Sequence, residues 1–316
     1  MTITEKTGLP RPGGEGTRFA AGLDGGGTKT LVECRDGDGT VLCRETFGPF
    51  NLNSIGEARF SALLDEITGF LAERGACVSL CAGAAGVSNP AVKELFGKAM
   101  TKAGIPHWQL VGDHEIALWG ALSGQPGCAL IAGTGSICCG RNAAGQFART
   151  GGWGHLIDDG GSGYALGRDA LAAVVRQWDG RGEPTLLSRL VEQRLELHTP
   201  QDLVGYVYGG DKSRIAAVSR LVSEAAQARD PVAEGIYRKN GAELALLVTA
   251  TARKLDMEDC KVALLGGQLV HDPLLRAVLE AELAQAAPGL SCVEAEQDAA
   301  AGAALMALAA SGLGGR

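Results

Sequence analysis

GLDGGGTKT, residues 22–30, is close to a phosphate-binding P-loop but departs from it at the lysine. A P-loop reads G-x-x-x-x-G-K-[ST], and it leads from a strand into a helix. Gly22 and Gly27 have that spacing, but Thr28 comes next and Lys29 follows one place late. Short apolar runs precede and follow the glycines, so the glycines are predicted to join two strands. The stretch is therefore predicted to be a hairpin turn, which could still bind phosphate through its backbone N–H groups.

A similar unit returns further along the chain. Gly27-Thr28 is matched by Gly133-Thr134, and Gly39 by Gly145, at a constant offset of 106 residues. Each copy reads as strand, Gly-Thr turn, strand, second turn and strand, which indicates two similar domains. Because 47 of the 316 residues are glycine, a chance alignment of turns is the alternative.

Composition narrows the class of protein. The net charge of −7 and the sequence pI of about 5.4 argue against a nucleic-acid-binding surface. Residues 1–18 are polar, rich in Pro and Gly and without the apolar core of a signal peptide, so they are expected to form a disordered arm. No apolar run is long enough for a membrane span, and a cytoplasmic protein without membrane contact is expected. The nine cysteines contain no C-x-x-C pair and are expected to be free thiols.

Hydrophobic spacing predicts the elements that follow the first hairpin. Apolar residues at helical spacing between 60 and 71 predict a helix, and Ser54 three residues before Glu57 predicts a capping box at its start. Further strands are predicted at 77–81, 108–111, 261–265 and 291–294, and further helices at 91–103, 115–122, 162–178, 184–196, 213–229, 231–254 and 299–310. The predicted domains cover 19–119 and 120–295, and the C-terminal helix within 296–316 is expected to complete the first.

Four glycine-rich turns carry the candidate ligand-binding residues. Glycine lets the backbone approach a ligand closely, and successive N–H groups form anion-binding nests. The turns are Asp24-Gly25-Gly26-Gly27-Thr28-Lys29, Ala132-Gly133-Thr134-Gly135-Ser136, Gly151-Gly152-Trp153-Gly154 and Leu265-Gly266-Gly267. An acidic residue at a strand end can hold Mg²⁺ through water, because hard cations prefer oxygen ligands. The repeated pair of turns predicts that a triphosphate is bound between the two domains.

Seven segments between residues 22 and 308 resemble one branch of the superfamily of sugar kinases, heat-shock protein 70 and actin. They are GLDGGGTKT, GPFNLNSIG, LVGDHEIALWGA, LIAGTGSI, GGWGHLIDDGGSGYALGRDA, LLGGQLV and DAAAGAALMAL. The branch contains the N-acetylglucosamine kinases and the BadF/BadG/BcrA/BcrD ATPases, and GGWGH with the acidic stretch after it is the most specific match. The resemblance implies an α/β fold of two duplicated, actin-like (ribonuclease-H-like) ATPase domains with the active site in the interdomain cleft. It also implies a homodimeric kinase that uses ATP and Mg²⁺ and phosphorylates an aminosugar.

The resemblance further implies a role for each matched residue. The phosphates would meet Gly25, Gly26, Gly27, Thr28 and Lys29 in the first turn and Gly133, Thr134 and Gly135 in the second, and Gly266 and Gly267 would contact adenosine. Asp24 would hold Mg²⁺ through water. Asp113 would be the general base that accepts the proton of the sugar hydroxyl, although an aspartate between a strand and a helix is also typical of an N-cap. The sugar would contact Asn51, Asp113, Trp153, Gly154 and Asp159.

Departures from the family pattern leave the acceptor open. Ile137 stands where the animal N-acetylglucosamine kinases carry an asparagine, and the stretch 82–86 lacks a serine found in those enzymes. N-acetylglucosamine and glucosamine, phosphorylated at O6, are both candidates, and another sugar such as N-acetylmuramic acid is an alternative. An ATPase activator coupled to a partner enzyme is a further alternative, disfavoured by the missing cysteine motif. A sugar-sensing regulator would need a DNA-binding segment, for which residues 1–18 are too short.

Overall fold

The computed structural model describes residues 17–313, which form two compact units. The first unit comprises Met1–Gln125 and Ala295–Arg316, and the second comprises Pro126–Glu294. Most of the expected arm lies outside the described residues, but Arg18 already belongs to a strand and pairs with Ala76. Among the described residues, no helix is both long enough and apolar enough to cross a bilayer.

The first unit is built on a five-stranded sheet in the order β3-β2-β1-β4-β5. Its strands are β1 (Arg18–Gly25), β2 (Thr30–Arg35), β3 (Val41–Phe47), β4 (Ala76–Ala84) and β5 (His107–Val111), and its first helices are α1 (Leu52–Ile55), α2 (Glu57–Ala72), α3 (Pro90–Lys102) and α4 (Asp113–Ala121). β1, β2 and β3 pair antiparallel, whereas β4 and β5 continue the sheet parallel to β1. The glycines of residues 22–30 therefore lie in a β-hairpin, as predicted.

The second unit repeats this sheet. Its strands are β6 (Gly127–Ala132), β7 (Ser136–Arg141), β8 (Phe147–Gly151), β9 (Cys260–Leu265) and β10 (Leu290–Glu294), in the order β10-β9-β6-β7-β8. Its helices are α5 (Gly163–Trp178), α6 (Leu186–Leu195), α7 (Pro200–Tyr208), α8 (Lys212–Ala217), α9 (Ser219–Gln227), α10 (Pro231–Lys254), α11 (Gly267–Val270) and α12 (Pro273–Ala286). Again three antiparallel strands are followed by two parallel ones, with the first strand in the centre. This shared topology confirms that the two copies of the Gly-Thr pattern mark a duplicated fold.

The last helix, α13 (Ala299–Ser311), returns to the first unit. Its buried alanines pack with Ala20, Cys81 and Ile116. The approach is so close that a Cβ on Gly22 would overlap the backbone of Ala304, and one on Gly302 would overlap the backbone carbonyl of Ile116. Small side chains on both surfaces therefore allow α13 to lie directly against β1 and α4.

Two local predictions were wrong. Ser54 does not cap α2, because it lies within the short helix α1, whose N-cap is Asn51, and Gly56 with a φ of 77° separates the two helices. The predicted helix 213–229 is two helices that meet at Val218. A Cβ on Gly167 of α5 would overlap the carbonyl oxygen of Ile215, so α5 packs against this chain reversal at backbone distance.

The contact pattern divides the chain after Gln125, whereas the sequence predicts a boundary after residue 119. The residues that follow α4 stay hydrogen-bonded to it, since the N–H of Gly124 donates to Trp119 O at 2.8 Å and that of Gln125 to Leu122 O at 2.8 Å. The chain leaves the first unit only where Pro126, which has no N–H to donate, precedes β6.

Candidate active site

The first glycine turn joins β1 to β2 and is fixed at its base. The N–H of Gly26 donates to Lys29 O at 2.9 Å, and the N–H of Phe50 donates to Gly26 O at 2.9 Å. The hydroxyl of Thr30, which is fully buried, donates to Gly48 O at 2.7 Å. The tip, residues 27–29, is exposed. The turn thus presents its exposed tip from a rigid base, as a backbone anion site requires.

Asp24 lies at the end of β1, next to this turn, and is partly buried. Burial raises the pKa of its carboxyl group, and the nearby carboxylates of Asp298 and Asp113 raise it further, while Lys29 opposes them. Within residues 17–313, no three His, Cys, Asp or Glu side chains are grouped closely enough to ligate one metal ion directly. Asp24 is the residue at this strand end that could hold a divalent cation through water, because hard cations prefer oxygen ligands.

Asp113 is the first residue of α4, and its side chain is 59 % exposed. Its Oδ1 accepts a hydrogen bond from the N–H of His114 at 2.9 Å and lies 3.4 Å from the Nδ1 of the same histidine. These contacts, led by the hydrogen bond with the His114 side chain, lower the pKa of the Asp113 carboxyl group. The helix N-cap is Gly112, whose N–H is bound by the Glu115 carboxylate at 3.0 Å. Asp113 is therefore not needed as the N-cap and remains an accessible, ionised carboxylate.

Asn51 caps α1 and is exposed. Its Oδ1 accepts a hydrogen bond from the N–H of Ser54 at 3.3 Å. The preceding Phe50 is 4 % exposed and stacks edge-on against Phe60 at 4.8 Å, which anchors the segment to the core. The predicted sugar contact of Asn51 would thus come from a side chain whose backbone is held in place by its neighbour.

The second glycine turn joins β6 to β7 in the second unit and is docked onto the start of α5. The N–H groups of Gly163 and Tyr164 donate to Gly133 O at 2.8 Å and to Thr134 O at 3.3 Å. A Cβ on Gly133 would have no atom within 4 Å, whereas one on Gly135 would lie 2.9 Å from the Asp159 carboxylate. The space over the Cα of Gly133 is therefore open, although the N–H of Gly133 itself already donates to Gly135 O at 2.9 Å, and the space beside Gly135 is covered.

Gly266 and Gly267 follow β9 and lie beside the second glycine turn. Gly266 has a φ of 85°, and a Cβ there would overlap the carbonyl of Ala132, so only glycine fits. The amide of Gln268 donates to the Ser219 hydroxyl at 3.0 Å. The structure thus brings two of the predicted turns together within one unit.

A cavity of about 520 Å³ opens next to Gly267, and its size suits a nucleoside. Its walls include Gly267, Gln268, His271, Ser219, Ser223 and Gln227. The polar residues of α9 in this wall were not predicted from the sequence, because an exposed polar helix face has no distinguishing local pattern.

The third turn, between β8 and α5, exposes apolar side chains. Gly151, Gly152 and Gly154 all have positive φ angles, and Trp153 between them is 63 % exposed. Leu156 and Ile157, further along the loop, are 85 % and 84 % exposed. A loop that turns its aromatic side chain outward suits the stacking of a sugar ring.

Asp159, in contrast, is only 4 % exposed. Its Oδ1 accepts a hydrogen bond from the N–H of Ser136 at 3.4 Å, and its backbone has a φ of 65°. The structure places this carboxylate against the second glycine turn, where it supports Gly135 and Ser136. Its predicted contact with the sugar stays a prediction.

Two charged residues of the site regions were missed by the sequence reasoning. Asp298 lies close enough to Asp24 to raise its pKa, caps α13 and forms an ion pair with Arg44. Arg149 lies over the ring of Trp153, with 4.2 Å between the guanidinium carbon and the ring centroid. Asp298 had a local signal, since an aspartate before an Ala-rich run is typical of an N-cap. Arg149 had none.

Comparison with known proteins gives a consistent picture. The BadF/BadG/BcrA/BcrD ATPase family matches residues 21–307. An N-acetylmuramic acid/N-acetylglucosamine kinase of Clostridium acetobutylicum is 37 % identical over 255 residues, which cover 78 % of this chain and 83 % of the relative. An N-acetyl-D-glucosamine kinase of Dictyostelium discoideum is 29 % identical, and the match covers 91 % of this chain and 97 % of the relative. A solved structure from Chromobacterium violaceum, named as a candidate N-acetylglucosamine kinase, superposes with a TM-score of 0.69 at 30 % identity. The match covers 92 % of this chain and 99 % of that chain. The chain therefore belongs to the BadF/BadG/BcrA/BcrD ATPase family and has a two-domain, actin-like ATPase fold of the sugar-kinase type.

Proposed function

We propose that this chain transfers the γ-phosphoryl group of ATP to a hydroxyl group of an aminosugar, at O6 of N-acetylglucosamine or glucosamine. The class of enzyme, an ATP-dependent sugar kinase, follows from the family and from its kinase relatives. The observation that carries the proposal is the ionised, exposed carboxylate of Asp113, which is electrostatically coupled to Asp24 at the first glycine turn.

Phosphoryl transfer depends on positioning and on charge neutralisation more than on covalent chemistry. Asp113 is assigned as the base that accepts the proton of the acceptor hydroxyl, for which its lowered pKa keeps it ready at neutral pH. Mg²⁺, when bound, neutralises charge on the phosphates, and Asp24 is the residue that would hold it through water. The exposed tip of the first turn would contribute backbone N–H groups to the phosphates.

In the second unit, the proposal assigns the nucleotide to the backbone beside Gly133 and to the cavity beside Gly267. Three features support this: the open face of Gly133, the glycine-only backbone at Gly266, and a cavity of nucleoside size whose lining includes hydroxyl, amide and charged side chains. Phosphates would bind near the turn, and adenosine would lie near Gly267.

The acceptor sugar is assigned from the names of the relatives and from one residue, Ile137, that departs from the family pattern. The relatives are named for N-acetylglucosamine and, in one case, also for N-acetylmuramic acid. Ile137 packs under the third turn, with its Cδ1 2.9 Å from where a Cβ of Gly152 would be, so no side-chain amide is offered there. N-acetylglucosamine is the first candidate acceptor, and glucosamine is the second.

A coupled ADP-release assay tests the proposal over N-acetylglucosamine, glucosamine, N-acetylmannosamine, N-acetylmuramic acid, glucose and no sugar. ADP release should depend on an aminosugar, and NMR of the product should locate the phosphate on O6. Sugar-independent ATP hydrolysis would instead support the ATPase activator. Light scattering after gel filtration would test the proposed homodimer, and the proposed cytoplasmic location can be checked by cell fractionation.

A further inference from the structure

Arg149, on β8, is held against the third glycine turn by two hydrogen bonds. Its Nε donates to Gly151 O at 3.3 Å and its Nη2 donates to Gly152 O at 3.0 Å. Its guanidinium carbon lies 4.2 Å from the centroid of the exposed Trp153 ring. The cation is therefore fixed in position beside Trp153, the exposed aromatic side chain of the candidate site that suits the stacking of a sugar ring.

Among the residues that the structure describes, no carboxylate forms an ion pair with this cation. Within residues 17–313, no Asp or Glu oxygen lies within 4 Å of the Arg149 nitrogens. Asp158 is the nearby acid, and its Oδ2 lies 3.5 Å from where a Cβ of Gly151 would be, outside ion-pair distance of Arg149. The two carbonyls use two of the five guanidinium N–H groups, so three donors remain.

A second cation strengthens the positive charge of this strand. The ammonium group of Lys254, from α10, donates to Arg149 O at 3.0 Å and to the Thr150 hydroxyl at 3.2 Å. Two cations, one on β8 and one on α10, thus lie beside the end of β8 in a protein whose net charge is −7. Of the two, only the Arg149 guanidinium contacts the indole ring of the third turn.

We propose that Arg149 binds the carboxylate of an acidic aminosugar, one that carries a carboxyalkyl ether on its ring, so that this acceptor class is phosphorylated alongside neutral aminosugars at a relative rate that depends on Arg149. The inference rests on the proposed function and deepens it. Arginine suits this task because its planar fork matches a carboxylate in two-point contact. The exposed indole face of Trp153 would take the sugar ring while the guanidinium takes the acid.

The test compares kcat/KM for N-acetylmuramic acid and N-acetylglucosamine in the same enzyme preparation. Because the active fraction cancels in this ratio, a partly unfolded variant still gives a valid answer. Arg149→Gln should lower the ratio about 10- to 100-fold, the effect of losing a hydrogen bond to a charged group. Arg149→Lys keeps the charge without the fork and should lower it by less.

Lys254→Gln is the matched control, since it removes one positive charge that lies against the same strand without touching Trp153. It should change the ratio less than about 3-fold, the weak effect expected of an exposed charge. The methyl ester of N-acetylmuramic acid keeps the size of the substituent but removes its negative charge. Its kcat/KM relative to that of N-acetylglucosamine should therefore be equally low in the wild type and in Arg149→Gln.

An equal loss for both sugars in Arg149→Gln would overturn the inference, since it would show that Arg149 only positions Trp153. So would a wild-type enzyme that phosphorylates N-acetylglucosamine but not N-acetylmuramic acid. The absence of ADP release with every sugar is a different result, because it would reject the proposed function and the inference with it.

Discussion

Valine at Gly133 provides a direct test of the second phosphate turn. A Cβ at this position has no atom within 4 Å, and Gly133 does not have a positive φ, so the apo protein can accept the new side chain. The expected change in the free energy of unfolding is that of an ordinary surface substitution, about 0.5 kcal/mol or less. The valine would stand where the phosphates must meet the backbone.

The loss in ATP affinity follows from the contacts that the valine would prevent. A hydrogen bond from a backbone N–H to a charged phosphate is worth about 1.5–3 kcal/mol. The loss of one such bond weakens binding roughly 10- to 150-fold, since about 1.4 kcal/mol corresponds to a factor of ten. Titration calorimetry should show this loss for ATP, with the affinity for the sugar changed by less than about 3-fold.

Two further valine variants make the result specific. Gly205→Val, on the exposed face of α7 where a Cβ also has open space, should leave ATP binding unchanged. Gly135→Val should lower the melting temperature, because its Cβ would press on the buried Asp159 carboxylate. Unchanged ATP affinity in Gly133→Val, or equal losses for ATP and sugar, would refute the assignment of this turn to phosphate.

Three other outcomes follow from the structure. Asp113→Asn should keep the affinities for ATP and sugar but reduce turnover by roughly 10²–10⁴-fold, the usual contribution of a general base; near-normal turnover in a folded variant would remove Asp113 from that role. The pKa of Asp24 is raised in the folded state, so the folded protein is more stable when this carboxyl group is protonated. That stability is lost as the pH rises through the raised pKa, and at neutral pH the ionised carboxylate lowers the free energy of unfolding. Asp24→Asn should therefore raise the melting temperature at pH 7 while abolishing activity, and a lowered melting temperature would contradict this. Cys43, whose pKa is lowered by its hydrogen bond with Cys34 and by Arg74, should be the thiol that iodoacetamide alkylates first; peptide mapping should identify Cys43 in the fastest phase, and Cys43→Ser should remove this phase.

The strongest sequence patterns predicted the fold because local physics determines them. The GLDGGGTKT hairpin was recognisable from apolar runs on both sides of a glycine turn, and its repetition predicted the second sheet, which has the same strand order. Helices with continuous apolar spacing, such as α2 and α10, were found within two or three residues of their ends.

Some errors came from signals that were present but not used. Thr199-Pro200 with Asp202 forms a capping box at the start of α7, and Asp272-Pro273 starts α12, yet neither helix was predicted. Both begin with an N-cap side chain and a proline at the first turn, where its missing N–H has no cost. The predicted cap of α2 failed for the opposite reason, since Gly56 interrupts the helix after Ser54.

The duplicated α/β architecture and the positions of the glycine turns could be predicted from the sequence, because strand, turn and helix preferences act between residues close in the chain. What surrounds those turns could not, because it depends on tertiary packing. That packing brought Asp298 from the end of the chain to Asp24, left Gly133 open while covering Gly135, and set Arg149 on Trp153. Each of these depends on the packing of distant segments, and charge and accessibility at a site are properties of that packing rather than of any local pattern.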